Sequence, residues 1–323
     1  MHEYDLLVVG SANADLVVHV DQRPAAGETV LGSDLAIHPG GKGANQAAAA
    51  ARLGARTTLL ARVGNDAYGR MLSQAQRAAG ADTTGLLEGE DAPTGVALIT
   101  VDAAGDNSIV VSSGANARLT PEDVTEARRL FEAATVVSLQ LEIPRETVEA
   151  AAHTAAASGA RVVLNPSPPA PLPGSVLAVC DPLVVNEHEA RRLLEDPADG
   201  RVDGRVDDRA TGRPEEWAEA LLERGPRSVV VTLGAEGALV ATPGSAAVRV
   251  PSPSVTAVDT TGAGDAFTGA LGWRLGRGDG LVDAVRYAVR VGSFAVTRAG
   301  AQESYPGAEE FEKFSGNCEK GAT

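Results

Sequence analysis

From residue 120 onward, stretches long enough for helices alternate with short β-branched runs, and that alternation leaves few architectures open. The pattern predicts a helix at 121–133, a strand at 136–141, a helix at 144–158 and a strand at 161–165. It continues with a short helix at 173–179, a strand at 182–186, helices at 187–195 and 214–224, and a strand at 228–232. Strands separated by helices run parallel and must be covered on both faces, so the fold class is α/β with a mainly parallel central sheet. The same rhythm opens the chain, with strands at 6–10 and 57–63 and a helix running on from Gly64 through Ala79. Extended pieces at 16–20, 29–31, 95–101 and 108–112 interrupt it, the last two as a hairpin around 102–107, and predict a small separate sheet. Ligands of such proteins collect at the carboxyl ends of the strands. Those ends carry Ser11, Asn13 and Asp15, then Glu142, Asn165, Asn186 and Thr232.

Two glycine-bearing stretches stand out against this background. Val258-Asp259-Thr260-Thr261-Gly262-Ala263-Gly264-Asp265 delivers the chain into an apolar helix that continues with Ala266 and Phe267. Small residues at such a turn let backbone N–H groups converge, and the positive end of the helix dipole adds to them, so the turn is a ready anion site. A carboxylate beside a phosphate is repelled unless a cation or a hydroxyl lies between, which makes Asp265 a candidate base for activating an alcohol. The same residue would also suit a plain helix cap. The second stretch, His38-Pro39-Gly40-Gly41-Lys42-Gly43-Ala44-Asn45-Gln46, opens an alanine-rich helix and offers Lys42 and Asn45 beside a backbone that a ligand can approach closely. Neither is a Walker loop, since Lys42 is followed by glycine. Nor is Gly262-x-Gly264-x-x-Phe267 a dinucleotide fingerprint, because its third glycine is missing and it lies late in the chain.

The 323 residues carry 28 Lys and Arg against 43 Asp and Glu, a net charge of −15, which argues against a nucleic-acid partner. Cys180 and Cys318 lie far apart in no metal-type spacing and predict a reduced, cytoplasmic protein. The apolar run at 6–9 has no basic leader, and no stretch approaches the roughly 18 apolar residues of a membrane span. Residues 196–213, rich in Asp, Gly and Arg, are read as a surface insertion. The tail is read as a short helix at 308–314 followed by frayed residues.

In their order along the chain, four motifs resemble the ribokinase-like carbohydrate kinases, and the likeness runs from about residue 5 to 306. Gly40-Gly41-Lys42-Gly43-Ala44-Asn45-Gln46-Ala47 and Asp259-Thr260-Thr261-Gly262-Ala263-Gly264-Asp265 look like the two signatures of that family. Asn186-Glu187-His188-Glu189 is similar to its N-x-x-E element, and Thr232-Leu233-Gly234-Ala235-Glu236-Gly237 to its nucleotide loop. The resemblance implies a three-layer α/β/α fold with a β lid. The main body would comprise 1–12, 40–92 and 114–323, and the lid 13–39 and 93–113, through which two copies would pair as a homodimer. It implies ATP-dependent transfer of the γ-phosphoryl group to the primary hydroxyl of a sugar, the 5-hydroxyl of D-ribose. A fructokinase-type enzyme or a nucleoside kinase of the same fold is the alternative, and a non-catalytic sugar-binding regulator is the alternative outside that class. A nucleoside base would want an aromatic slot, and the N-terminal third has only Tyr4 and Tyr68.

By the same resemblance Asn13, Asp15, Gly41, Lys42, Asn45 and Glu142 contact the sugar; for Glu142 the other reading is a neighbour of a helix start before Pro144, and its place at the ligand end of a strand favours the sugar. Asp265 is the base, and the amides of Gly262, Ala263 and Gly264 hold the transferring phosphoryl group. ATP would lie against Asn186, Glu189, Thr232, Gly234, Ala235, Glu236, Gly237, Gly264 and Val289. Val289 replaces a residue that is often polar in related enzymes, so no side-chain hydrogen bond to the base is expected there. Mg2+ would arrive with ATP and be held through water by Asn186 and Glu189, whose spacing also fits an ordinary capping box. A monovalent cation, K+, would be held by Asp259 and Thr261 with Ala295, Arg298, Gly300 and Ser304, mainly through backbone oxygens.

Overall fold

A strand buried on both sides needs apolar side chains pointing both ways, and the first strand supplies them. In the computed structural model, which describes residues 2–195 and 211–320, β1 (Tyr4–Val9) sends Leu7 and Val9 into one core and Leu6 and Val8 into another. The chain continues through β2 (Asn13–His19), β3 (Ala36–Gly40), α1 (Lys42–Arg52), β4 (Thr57–Gly64), α2 (Ala67–Ala79) and β5 (Leu86–Gly89). Next come β6 (Gly95–Val101), β7 (Asn107–Ser112), α3 (Pro121–Glu126), α4 (Arg128–Ala133), β8 (Ala134–Leu139) and α5 (Arg145–Ala157). β9 (Arg161–Leu164), α6 (Gly174–Leu177), β10 (Cys180–Asn186), α7 (Glu187–Glu195), α8 (Pro214–Leu222) and β11 (Val229–Thr232) extend the alternation. β12 (Ala238–Ala241), β13 (Val248–Val250), α9 (Ala263–Gly276), α10 (Leu281–Ala295) and α11 (Ala308–Lys320) complete it.

Nine strands form the central sheet in the order β13-β12-β11-β10-β9-β8-β1-β4-β5. All neighbours from β11 to β5 pair in parallel, and β12 and β13 add an antiparallel edge. One core joins the sheet to α5, α7 and α8 through Val148, Leu193, Trp217 and Leu221. The other joins it to α1, α9 and α10 through Ala47, Ala50, Phe267, Leu271 and Val285. The second sheet has the order β3-β2-β6-β7. Its outer pairs are antiparallel and β2 runs parallel to β6, so the separate small sheet is mixed.

Several boundaries differ from the sequence expectation. The strand expected at 29–31 is instead β3, which contains Pro39; at the edge of a sheet proline withholds no needed hydrogen bond. The helix expected at 121–133 breaks at Ala127 into α3 and α4. α11 runs on to Lys320 where fraying after 314 was expected. The insertion expected at 196–213 lies, for 196–210, outside the described residues. Among the described residues no helix is long and apolar enough to cross a membrane.

Candidate active site

The site is assembled where α1 and α9 begin side by side. A Cβ on Gly269 of α9 would lie 2.3 Å from the Gln46 carbonyl oxygen of α1, and one on Gly43 would lie 2.7 Å from the Gly10 backbone just beyond β1. Only residues without side chains permit these approaches, which bring both helix starts to the end of β1. Gly41 caps α1 at φ 89° and Gly262 caps α9 at φ 71°, both in the left-handed region that glycine tolerates. The Tyr305 hydroxyl donates to the Gly262 carbonyl at 3.1 Å and pins the second turn.

Of the three amides expected to form the anion hole, that of Ala263 donates to the Thr260 carbonyl at 3.3 Å. Among the described residues the amides of Gly262 and Gly264, and that of Asp265 beside them, have no backbone acceptor, so unpaired donors face out from the start of α9. Asp265 does not cap α9. Its carboxylate reaches across to α1, where Oδ2 accepts from Asn45 Nδ2 at 3.0 Å and Oδ1 from Gln46 Nε2 at 3.2 Å. Burial raises its pKa, while Lys42 and the two amide donors pull it back. For Lys42 burial works against the charged form, yet Asp265, Glu142, Glu189 and Asp15 more than offset it and keep the ammonium ionised.

Glu142 turns toward α1 and away from α5. Its Oε2 accepts from the Ser11 hydroxyl at 2.5 Å and from the Lys42 amide at 3.1 Å, which places a carboxylate at the positive end of α1. Asp15, on β2 opposite His38 of β3, is pushed up to about 7 by burial and by the charge of Glu142, against the pull of His38. Asn13 Oδ1 accepts from Asn116 Nδ2 at 2.7 Å. Asn13, Asp15, Gly41, Lys42, Asn45, Glu142 and Asp265 are therefore gathered at one end of the sheet. His38 Nδ1, on the small sheet, stands 2.9 Å from Glu303 Oε1 of the turn at 302–304.

A cleft of about 440 Å³ runs from this point along α9, walled by Thr232, Gly234, Ala235, Gly237, Gly264, Phe267 and Val289. A second, of about 480 Å³, holds Lys42, Asn186, Glu189, Gly264 and Asp265 and shares Thr232 and Gly234 with the first. Together they make one trough with an apolar slot at one end and Asp265 at the other. Glu236, expected among the nucleotide contacts, does not line it. The tight turn at 234–236 points its exposed side chain at Arg249, 3.4 Å away. Val289 is part of the slot wall and offers no polar atom, as its side chain dictates.

Asn186 and Glu189 form the capping box that their spacing allowed: the Asn186 amide donates to Glu189 Oε2 at 2.9 Å and the Glu189 amide to Asn186 Oδ1 at 2.8 Å. The cap fixes both side chains at the edge of the trough. Beside the start of α9, Asp259 Oδ1 accepts from the Thr261 amide at 2.9 Å and hydroxyl at 2.7 Å, and Oδ2 from the Gly300 amide at 2.8 Å. Burial opposes its charge, but these donors hold Asp259 below the usual carboxylate range. Val258 and Asp259 amides both donate to the Val296 carbonyl, so the 258–261 loop and the turn carrying Ala295, Arg298, Gly300 and Ser304 are knitted together. The Arg298 guanidinium turns away to Glu310, leaving only its backbone to face the loop. Among the described residues no cluster of three or more His, Cys, Asp or Glu side chains could hold a metal by itself.

Four residues of this arrangement escaped the sequence reading. Ser11 was noted only as a polar strand-end residue, and Gln46 lay inside a motif without an assigned role. Asn116 and Gln302, whose amides orient Asn13 and Asn45, carried no local signal.

The fold and this constellation define a phosphotransferase-type site, and the chain belongs to the pfkB family of carbohydrate kinases, whose model matches residues 4–308. It is 38% identical over 309 residues to a ribokinase of Bacillus subtilis, covering 96% of this chain and 98% of that one. It is 37% identical over 311 residues to a deoxyribokinase of Salmonella typhi, with the same two shares. Among solved structures it resembles ribokinase from Thermotoga maritima, with a TM-score of 0.86, 34% identity and coverage of 97% and 100%. It also resembles an Arabidopsis thaliana ribokinase complexed with ribose and ATP, with a TM-score of 0.86, 31% identity and coverage of 97% and 99%.

Proposed function

We propose that the protein is an ATP-dependent ribose kinase that transfers the γ-phosphoryl group to the 5-hydroxyl of D-ribose. The observation that carries this is the Asp265 carboxylate, held on two amide donors beside unpartnered first-turn N–H groups at the mouth of the trough. A polyol needs several short polar groups converging on it, each hydrogen bond contributing about 0.5–1.5 kcal/mol. Asn13, Asp15, Lys42, Asn45 and Glu142 are those groups, with the Gly41 backbone closing the approach. Asp265 takes the proton of the 5-hydroxyl late, as bond formation to phosphorus acidifies it. The Gly264 and Asp265 amides and the Lys42 ammonium steady the negative charge on the phosphoryl oxygens during transfer.

The nucleotide base would occupy the apolar slot against Val289, with Thr232, Gly234, Ala235 and Gly237 along its sugar and phosphates. Asn186 and Glu189 would hold Mg2+ through water, and the bound ion neutralises phosphate charge. Asp259 and Thr261, with backbone oxygens of Ala295, Arg298, Gly300 and Ser304, would hold K+, which reinforces the positive field of the glycine turn. The donor set fits: a charged carboxylate and a carbonyl-bearing turn are already drawn together there. Residues 13–39 and 93–113 act as a lid that keeps water from the phosphoryl group. A reduced, buried Cys180 suits the cytoplasm.

Near-equal identity to the Salmonella typhi deoxyribokinase supports a second reading, with 2-deoxyribose as acceptor. A coupled assay of ADP release with ribose, 2-deoxyribose, fructose and adenosine decides. The highest kcat/KM is expected with ribose. Preference for 2-deoxyribose selects the second reading, preference for fructose or adenosine removes both, and binding without turnover of any sugar leaves a regulator.

A further inference from the structure

Both oxygens of Asp265 accept from side-chain amides whose own orientation is set farther away. Asn45 Oδ1 accepts from Gln302 Nε2 at 3.0 Å, which turns its Nδ2 to Asp265. Gln46 has no exposed surface. Its Oε1 accepts twice, from the Ser138 hydroxyl of β8 at 2.8 Å and from Gln140 Nε2 just beyond β8 at 2.6 Å. Both donors are aimed at Oε1, and turning the amide over would set that oxygen against the Asp265 carboxylate, so Nε2 faces Asp265 Oδ1 at 3.2 Å. Gln46, Ser138 and Gln140 thus form a buried polar chain that ends on the carboxylate.

We propose that Gln46, locked by Ser138 and Gln140, is a positioning residue for the base, keeping the Asp265 carboxylate ionised and fixed in aim toward the sugar hydroxyl. This rests on the reading of Asp265 as the base. A donor to a carboxylate stabilises the charged form, so Gln46 works against the burial that raises the pKa of Asp265. Lys42 on α1 pulls the same way. Glu142 beyond β8 and Asp15 on β2 push the opposite way, and Tyr305, raised well above its ordinary range by burial, stays neutral beside the Gly262 carbonyl.

The test is the pH dependence of kcat for Gln46→Leu, Gln46→Glu and the pair Ser138→Ala with Gln140→Leu. Removing one donor should move the acid limb of the profile up by about one pH unit, so that kcat falls about tenfold on the acid side and recovers at high pH. Gln46→Glu keeps the volume and the acceptor but sets two carboxyls to share a proton, and should move the limb farther. The Ser138 and Gln140 pair, which frees the amide to rotate, should move it less. KM for the sugar should hardly change. A uniform loss of kcat at all pH values, with the limb unmoved, is what mere packing damage gives and overturns the proposal. Should Gln46→Leu fail to fold, Gln46→Glu carries the same comparison. Asp265→Asn is run beside them: if it stays active the base itself is misassigned, whereas its inactivity with an unmoved limb in the Gln46 variants sinks only the positioning role.

Discussion

A carboxylate stripped of water must find donors in the protein if it is to stay a base, and Asp265 finds them on adjacent residues of one helix turn. Asp15 has no such relief. Its pKa of about 7 is set by burial and by Glu142, with Asp265 adding to the repulsion. Because the folded value exceeds the unfolded one, the folded state binds the extra proton. The penalty is absent below pH 4, grows as pH rises toward 7 and is complete above it. Asp15→Asn should therefore stabilise the ligand-free protein by about 2 kcal/mol above pH 7 and by little at pH 4, while raising KM for the sugar. Urea titrations at the two pH values check this, and equal stabilisation at both would refute the electrostatic origin. Residues with a fixed place in a motif, such as Asn45, Asp259 and Asp265, were readable along the chain. Their orienting partners were not: Gln302 lies 257 residues from Asn45 and Ser138 lies 92 from Gln46, separations no local pattern spans. Glu236 sat in a readable motif yet faces Arg249, because a three-residue turn decides which way its neighbours point.

At the scale of elements, the catalytic geometry depends on how closely α9 lies against α1 and β1. Gly269, Gly272 and Gly276 form one stripe on α9, and a Cβ on them would meet Gln46 O at 2.3 Å, Leu6 Cδ1 at 2.9 Å and Asp5 O at 2.3 Å. Gly269→Ala should destabilise the fold by about 1–3 kcal/mol and also lower kcat, since α9 must back away from Asn45 and Gln46 and carry Asp265 with it. Gly280→Ala is the control, because its φ of −63° suits alanine and nothing lies within 4 Å. Chemical denaturation and steady-state rates on the two variants make the comparison, and equal behaviour would refute the close-packing account. The turn joining Asp259 to Gly300 carries a further prediction: activity should rise with K+ and fall when Na+ or Li+ replaces it, and indifference to the ion would remove that site. The parallel strands were legible because both-sided burial leaves continuous apolar runs. β12 and β13 were not foreseen, being three or four residues long at the edge. β3 was misplaced because Pro39 reads as a breaker unless its edge position is known.

For the whole molecule, the small sheet presents an unfinished surface. The register puts Ile37, Leu16, Leu98 and Val110 in one row across β3, β2, β6 and β7. Ile37, Leu98 and Val110 are 42%, 51% and 66% exposed. A second copy laid on that row would cover it, so the chain is expected to sediment as a dimer and Val110→Lys as a monomer; a monomeric parent chain, or a variant that stays dimeric, would refute pairing through this sheet. The opposite face of the sheet carries Asp15 and His38. A net charge of −15 leaves the trough dependent on its own amides and Lys42 to attract a nucleotide. All of these features bear on the one event proposed above, proton removal by Asp265 as phosphorus is attacked. The turnover of Asp265→Asn with ribose and ATP, measured beside sugar affinity by calorimetry, tests it most directly. The predicted result is a kcat lower by about 10²–10⁴ with affinity little changed; near-normal turnover at the same affinity would contradict it.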